Sequence, residues 1–215
     1  MKKRLYQSDA ASYFREHSSI FLFIVVLFLM GVIFGAIVVN SMSITQKEDL
    51  FYYLSQFFGQ VSSGKEAEDN DLFMQSLFHN SKFIGLMWIL GISIIGLPVI
   101  LILLFIKGMV VGFTVGFLVS QMGWQGFMLA FVSILPQNLI IIPVFIMMAA
   151  LSVIFSLRMI KKQFMKKYAQ PILPFFKSYI LTLIVAVIFI AAASGIEAYL
   201  SPWLMKTIIS STILK

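Results

Sequence analysis

The sequence predicts an all-α bundle of membrane-spanning helices, and three observations support this prediction. Hydrophobic residues make up 60% of the 215 residues and charged residues only 12%, whereas soluble domains average about 45–50% and about 25%. Several stretches of 20 or more residues carry no formal charge, which is enough to cross a bilayer as a helix. The charged residues lie at the edges of these stretches. Such a distribution is typical of a multi-pass membrane protein.

The first predicted span covers residues 20–39. It is about as long as the ~20 residues that cross a bilayer, so we interpret it as an uncleaved signal anchor rather than a cleavable signal peptide. The segment 41–82 after it carries six acidic residues. Four basic residues precede the first span: Lys2, Lys3, Arg4 and Arg15. Because basic residues stay on the cytoplasmic side, the amino terminus is predicted inside and segment 41–82 outside.

The next two spans are separated only by Lys107. The second predicted span covers residues 83–106, and the 50 residues from 108 to 157 then carry no charge. A single helix of that length would measure about 75 Å against a hydrocarbon core of about 30 Å. We therefore expect the chain to reverse within residues 121–126, which contain two glycines. This gives a short third span, 108–121, and a fourth span, 127–157.

A basic loop and a last span complete the predicted topology. The loop 158–174 carries five basic residues in its first ten and no acidic residue among them: Arg158, Lys161, Lys162, Lys166 and Lys167. This cluster is predicted to be cytoplasmic, in contact with membrane lipids or with a cytoplasmic partner. The fifth span, 175–196, then leads to an external carboxyl terminus. The sequence thus predicts five spans in a single membrane domain, 1–215.

Two stripes of glycine predict close helix packing. Gly31 and Gly35 lie one turn apart in the first span, and Gly108, Gly112 and Gly116 follow the same spacing in the third. Small residues at this spacing let two helix backbones approach closely in lipid. The stripes are consistent with packing inside one chain and with a homo-oligomer.

The fourth predicted span is expected to break at Pro136, Gln137 and Asn138, because proline lacks the backbone N–H and clashes with the preceding turn. Pro143 lies further along the same span. The break is either a fixed kink whose freed groups are satisfied by side chains, or a discontinuous helix that lines a transport site. The polar residues available to line such a site are Gln121, Gln125, Ser133, Gln137 and Asn138.

The external segment is predicted to contain an amphipathic helix. Thr45 and Glu48 have the spacing of a capping box. Apolar residues follow at helical intervals: Leu50, Leu54, Phe57, Phe58 and Val61. This apolar face either lies flat on the outer leaflet or docks an external partner protein.

The sequence offers little that points to catalysis. Lys107 and Glu197 are placed at predicted span ends, and both histidines lie outside the predicted membrane core, so no ionisable catalytic group is expected inside the membrane. Cysteine is absent, which removes thiolate chemistry. We therefore predict no enzyme activity, no metal and no cofactor. The basic residues are not interleaved with aromatic ones as a nucleic-acid partner would require.

The residues from Asn80 through Gly91 to Lys107, followed by the Gly112 and Gly116 stripe, Leu135-Pro136-Gln137-Asn138 and Pro143, resemble the core of the stage II sporulation protein M family. The five-span layout extends the resemblance over essentially the whole chain. Broader members of that family often have a Pro-His-Gly sequence and a Glu before the second proline. Gln137, Asn138 and Ile141 stand at those positions here, which favours a structural role.

The resemblance implies a membrane component of the engulfment machinery of endospore-forming bacteria, located at the sporulation septum and engulfing membrane. In that family the M protein works with sporulation proteins D and P, which degrade peptidoglycan outside the membrane. We therefore expect a membrane scaffold that recruits and holds these two proteins. The alternative is a small transporter or channel subunit that uses the kinked fourth span.

The predicted topology is tested by single cysteines in a chain that has none. Asp69→Cys should react with a membrane-impermeant maleimide on intact cells, and Lys162→Cys should react only after the membrane is permeabilised. Labelling of both positions from the same side would contradict the predicted topology.

Overall fold

The computed structural model describes residues 15–62, 69–164, 172–201 and 203–204. These residues form six α-helices, which confirms the predicted all-α membrane class. The helices are α1 (Ser18–Ser41), α2 (Ile44–Ser62), α3 (Asp69–Gly91), α4 (Gly96–Ser133), α5 (Leu135–Phe164) and α6 (Ile172–Gly195), and a π-helical turn (Ile196–Leu200) continues α6.

The glycine stripes form one interface between α1 and α4. A Cβ atom added to any of four of these glycines would overlap a backbone carbonyl oxygen of the opposite helix. The pairs are Gly31 with Phe105, Gly35 with Met109, Gly108 with Phe28 and Gly112 with Val32. The residue numbers rise together along both helices, so α1 and α4 run parallel. Because both stripes are used within one chain, a homo-oligomer would need another surface.

Contacts between the remaining helices define two ends of the bundle. Ser76 in α3 lies beside Ser194 in α6, whereas Trp88 lies beside Tyr179, so α3 and α6 run in opposite directions. We call the end of the bundle that holds Ser76 and Ser194 the Glu197 end. Helices α1 and α6 end there, and helices α3 and α5 begin there. The opposite end, the Ser93 end, holds the connection from α3 to α4.

Among the described residues, four helical stretches are long and apolar enough to cross a membrane: Ser18–Ser41, Gly96–Ser133, Leu135–Lys161 and Phe176–Leu200. By length and composition the count is therefore one lower than the predicted five, because α3 does not qualify. The predicted second span, 83–106, is not one helix, because α3 ends at Gly91 and α4 begins at Gly96. Residues 96–106 instead join the predicted third span, 108–121, in one continuous helix.

The turn between α3 and α4 is short. The N–H of Ser93 donates to the carbonyl of Leu90 over 3.0 Å, and the N–H of Gly96 donates to the carbonyl of Ser93 over 3.2 Å. A Cβ atom at Gly96 would overlap the Leu90 carbonyl. Pro98 then lies in the first turn of α4, where proline is tolerated because the backbone N–H has no helical partner. Glycine and proline thus allow a reversal inside an uncharged stretch.

Helix α3 carries the chain from the Glu197 end back to the Ser93 end, between α4, α5 and α6. This return passage is why α1 and α4 run parallel. The first half of α3 contains polar residues and is less apolar than a typical span. Ser76 and Asn80 are nonetheless buried, and Ile84 and Met87 are fully buried. One face of α3 therefore packs against the bundle, whereas Phe78 and Ile89 on its other face are exposed.

The reversal expected within 121–126 lies at Gly123. This glycine has φ +56°, and it is the one residue with positive φ in the part of the chain that the structure describes. Residues after it fold back on α4, because a Cβ atom at Gly126 would overlap the carbonyl of Leu118. Trp124, beside the reversal, is 71% exposed, as expected for an interfacial tryptophan.

The break expected at residues 136–138 lies at Ile134 instead, between α4 and α5. Pro136 is in the first turn of α5, for the same reason that Pro98 is in the first turn of α4. The backbone stays hydrogen-bonded across the break. The N–H of Ile134 donates to Ala130, and both the N–H and the side-chain Nδ2 of Asn138 donate to the Ile134 carbonyl.

Helix α5 is the centre of the bundle. Of its apolar stretch 61% is buried, against 22% to 28% for the other three apolar helices. Phe145 and Met148 of α5 are fully enclosed, and Ile84 of α3 and Ile190 of α6 belong to the same core. The outer faces of α1 and α6 stay exposed and apolar, which suits contact with lipid.

We expect Gly112→Ala to destabilise the bundle, because the added methyl group overlaps the Val32 backbone and overpacking costs about 1–3 kcal/mol. The measurement is the midpoint of thermal aggregation in detergent. Gly85→Ala is the matched control, since a Cβ atom there has no heavy atom within 4 Å and alanine favours the helix by up to about 1 kcal/mol. An equal midpoint for the two variants would contradict the backbone contact.

Candidate functional site

Lys107 lies in the interior of the bundle. The sequence places it at the end of a span, but it is eleven residues into α4 and its ammonium is enclosed by α3 and α5. Its Nζ donates to Asn80 Oδ1 over 3.2 Å and lies 4.9 Å from the ring centre of Phe145 and 5.9 Å from that of Phe83. The rings attract the cation through their π-electrons. The prediction that Lys107 lies at the end of a span is therefore wrong.

Hydrogen bonds connect Lys107 to a carboxylate. Asn80 Nδ2 donates to the carbonyl of Ser76 over 3.1 Å. The Ser76 hydroxyl donates to Glu197 Oε2 over 2.5 Å, and its Oγ lies 3.1 Å from Ser194 Oγ. We call Lys107, Asn80, Ser76, Ser194 and Glu197 the polar chain. It contains one positive and one negative group, both half-buried, so the two charges are balanced through neutral side chains.

The polar chain fixes the positions of three elements. Ser76 and Asn80 lie one helical turn apart, which puts both on the same face of α3. Lys107 approaches that face from α4, and Glu197 approaches it from the π-helical turn. An unpaired charge inside a membrane is costly. Sliding α3 along its neighbours would separate both charges from their partners, so the polar chain sets the register of α3.

A second set of contacts holds α3, α5 and α6 together at the Ser93 end. The Tyr179 hydroxyl donates to the Trp88 carbonyl over 2.9 Å and lies 2.7 Å from Ser152 Oγ. The Trp88 indole N–H donates to the Tyr179 carbonyl over 3.2 Å. The Tyr179 ring stacks on Trp88 and on Phe155, with centroids 5.4 Å and 4.7 Å away. Trp88 is therefore a packing residue of the bundle.

Helix α2 begins with a capping box, directly after the end of α1. The Ser43 N–H donates to Gln46 Oε1 over 3.0 Å, and the Gln46 N–H donates to Ser43 Oγ over 3.3 Å. These residues have the same spacing as the predicted pair, Thr45 and Glu48. The observed pair is two residues earlier because the helix begins at Ile44.

The aromatic side chains of α2 are exposed beside the bundle. Tyr52 is 61% exposed and Tyr53 is 68% exposed. Leu50 is half-buried, and Leu54 lines a cavity against the bundle. At these positions the side turned away from the bundle is therefore aromatic. The other three predicted docking side chains, those of Phe57, Phe58 and Val61, lie outside the described residues.

The two tyrosines were missed because they lie outside the apolar period of the helix. The signal available was Phe51-Tyr52-Tyr53, a run of three aromatic residues. Lys107 and Asn80 also carried a signal. Lys107 is the only charged residue between 83 and 157. An isolated charge in such a stretch can lie at the end of a span, or inside the bundle beside a polar partner.

The predicted basic cluster is only partly described. Arg158 is half-buried and Lys161 is exposed, both in the last turns of α5. Lys166, Lys167 and the side chain of Lys162 lie outside the described residues. Among the residues that are described, no group of three His, Asp or Glu side chains is close enough together to hold a metal ion.

We expect Lys107→Met and Glu197→Gln to be coupled in stability. Removing one member of this half-buried charge pair leaves the other uncompensated, so Lys107→Met alone should lower the thermal midpoint. Adding Glu197→Gln keeps an acceptor for Ser76 and removes the uncompensated charge. The double variant should therefore be more stable than the sum of the single effects, with a coupling of about 0.5–3 kcal/mol. Additive losses would show that the two charges do not interact.

Comparison with known proteins gives one match. A family model for stage II sporulation protein M matches residues 24–202. No curated protein and no solved structure matches the chain. The matched region extends from α1 through the π-helical turn and includes the glycine interface and the polar chain. The chain therefore belongs to the stage II sporulation protein M family and is a multi-pass membrane protein of sporulation.

Proposed function

We propose that this protein is a membrane scaffold that recruits and holds the peptidoglycan-degrading sporulation proteins D and P at the septal and engulfing membrane. In this proposal the wall-cutting chemistry belongs to the partners, and the present chain supplies a fixed membrane position and a docking surface. Its membership of the stage II sporulation protein M family supports the sporulation setting. The exposed aromatic pair on α2 supports docking, and it is the observation on which the proposal mainly rests.

Tyr52 and Tyr53 suit a protein contact. Tyrosine is among the residues most enriched at interface hot spots, because it covers a large area with few rotatable bonds. Both side chains are more than half exposed on a helix at the Glu197 end. The orientation of the Tyr52 side chain is restrained, since Gln56 Nε2 donates to the Tyr52 hydroxyl over 2.9 Å. A restrained aromatic surface loses less conformational entropy when a partner binds.

The position of α2 follows from the rest of the fold. Its amino-terminal end is fixed by the end of α1, and the capping box sets the direction in which it leaves the membrane helix. Leu54 faces the bundle while the tyrosines face away from it. With the predicted topology, the Glu197 end faces the cell wall, where proteins D and P act. The end of α1 and the capping box therefore set where α2 begins.

The transport alternative was suggested by the break expected at residues 136–138, and the backbone at the observed break does not support it. Discontinuous helices in transporters leave unpaired backbone groups that bind substrate. Here the break lies at Ile134, and the backbone groups of Ile134 and Asn138 remain hydrogen-bonded to each other and to Ala130. Solute flux in liposomes that Asn138→Leu abolishes would restore that alternative.

We expect Tyr52→Asp with Tyr53→Asp to reduce co-purification of proteins D and P at least tenfold, with membrane insertion unchanged. Loss of hot-spot residues costs about 2 kcal/mol or more, and each 1.4 kcal/mol corresponds to about tenfold in affinity. The measurement is quantitative mass spectrometry of partners captured from detergent extracts of sporulating cells.

The matched control is Ser41→Asp with Thr45→Asp, which adds two carboxylates at exposed positions near the start of α2. It should retain both partners. Phe57→Asp with Phe58→Asp tests the face predicted from the sequence and should also lose them. Full retention of both partners by the two aromatic variants would exclude α2 as the docking surface, and the exposed Trp203 would be tested next.

A further inference from the structure

A polar cavity lies between α2 and the Glu197 end of the bundle. Its volume is about 460 Å³, and nine of its thirteen lining residues are polar. They come from α3, α4, α5 and the π-helical turn, with Leu54 of α2 at one side. A groove of similar size between α4 and α5, about 470 Å³, has Asn138 as its one polar lining residue. The cavity and the groove differ in chemistry, and of these two only the cavity has several polar side chains that could bind a polar group.

The hydroxyl groups of this cavity present acceptors. Each hydroxyl has one proton to donate, and in all four serine and threonine residues that proton is directed elsewhere. Thr114 donates to the Val110 carbonyl and Ser133 to the Leu129 carbonyl, over 2.9 Å and 2.6 Å. Ser201 donates to Gln137 Oε1, and Ser76 donates to Glu197. The cavity wall therefore offers oxygen lone pairs.

The wall also contains a carboxylate, that of Glu197. Among the described lining residues Glu197 is the one acidic residue, His79 is the one basic residue, and there is no lysine or arginine. The ammonium of Lys107 is separated from the cavity by Asn80, whose Oδ1 accepts its hydrogen bond over 3.2 Å. That ammonium is also held over the Phe145 ring. Glu197 therefore faces the cavity without a lysine or arginine from the described lining.

We propose that this cavity binds an organic ammonium group, with the Glu197 carboxylate as counter-ion and the hydroxyl oxygens as further acceptors. An ammonium has three donors and no acceptor, which complements the wall. A divalent metal would need more carboxylates. The cavity is also roughly fifteen times the ~30 Å³ share of a water molecule, so it has space for the alkyl chain that carries the ammonium. The same chemistry occurs in free amines and in the lysine side chain of an external polypeptide.

The absence of native cysteine allows a direct test. Ser133→Cys places a thiol in the cavity wall, and Ser55→Cys places one on the exposed surface of α2. Each purified variant is treated with a cationic and an anionic methanethiosulfonate reagent. We expect the ratio of cationic to anionic rates to be about tenfold higher at Ser133→Cys than at Ser55→Cys. Adding Glu197→Gln to each variant should make the cationic-to-anionic ratio at Ser133→Cys equal to that at Ser55→Cys.

Protection experiments identify the ligand chemistry without any variant of Glu197. n-Butylammonium should slow modification of Ser133→Cys by an uncharged methanethiosulfonate, and n-butanol should not. If n-butylammonium protects, the free amine is sufficient; if only an end-blocked Gly-Lys-Gly peptide protects, the ammonium comes from a polypeptide. Equal cationic-to-anionic ratios at Ser133→Cys and Ser55→Cys, or protection by neither ammonium probe, would overturn the proposal. The outcome does not depend on whether proteins D and P bind α2.

Discussion

The need to satisfy a charge inside hydrocarbon determines how this bundle is arranged. Lys107 stands in the middle of an apolar helix, and a charge there is tolerated when it has a partner within the protein. The partner is Asn80, which is connected through Ser76 to Glu197. Because Ser76 and Asn80 belong to α3, the face of α3 that carries them packs against the bundle. The tight turn at Ser93 then connects α3 to α4, which runs parallel to α1.

The glycine interface complements the polar chain with a different kind of force. Helices in lipid gain nothing from burying apolar side chains against each other rather than against acyl chains, so dispersion contacts between closely packed backbones provide much of their attraction. Gly35 and Gly112 bring α1 and α4 close enough that no side chain fits between them. The polar chain is directional and fixes register. The glycine interface is non-polar and fixes distance.

The sequence predicted the features that depend on local chemistry. The uncharged stretches, the glycine stripes and the reversal near Gly123 follow from residue type and spacing alone, and the residues around Pro136 carried the resemblance to the family. The turn at Ser93 was missed because residues 92–95 are uncharged and lie within an apolar stretch. Lys107 was misplaced because a hydropathy pattern treats a charge as a boundary. Its hydrogen-bond partner is 27 residues away in sequence, and only the packed helices bring the two together.

The parallel pairing of α1 with α4 has a consequence for biosynthesis. Gly35 and Gly112 are separated by 77 residues (112 − 35), so at about 5–20 residues per second the ribosome needs roughly 4–15 s to supply the second half of the interface. During that interval the glycine face of α1 has no partner helix within the chain. A nascent chain at this stage has a helix-packing face on α1 and no helix of its own to pack against it. Two such chains on one polysome would meet through the same face, and synthesis of α4 would be the step that separates them.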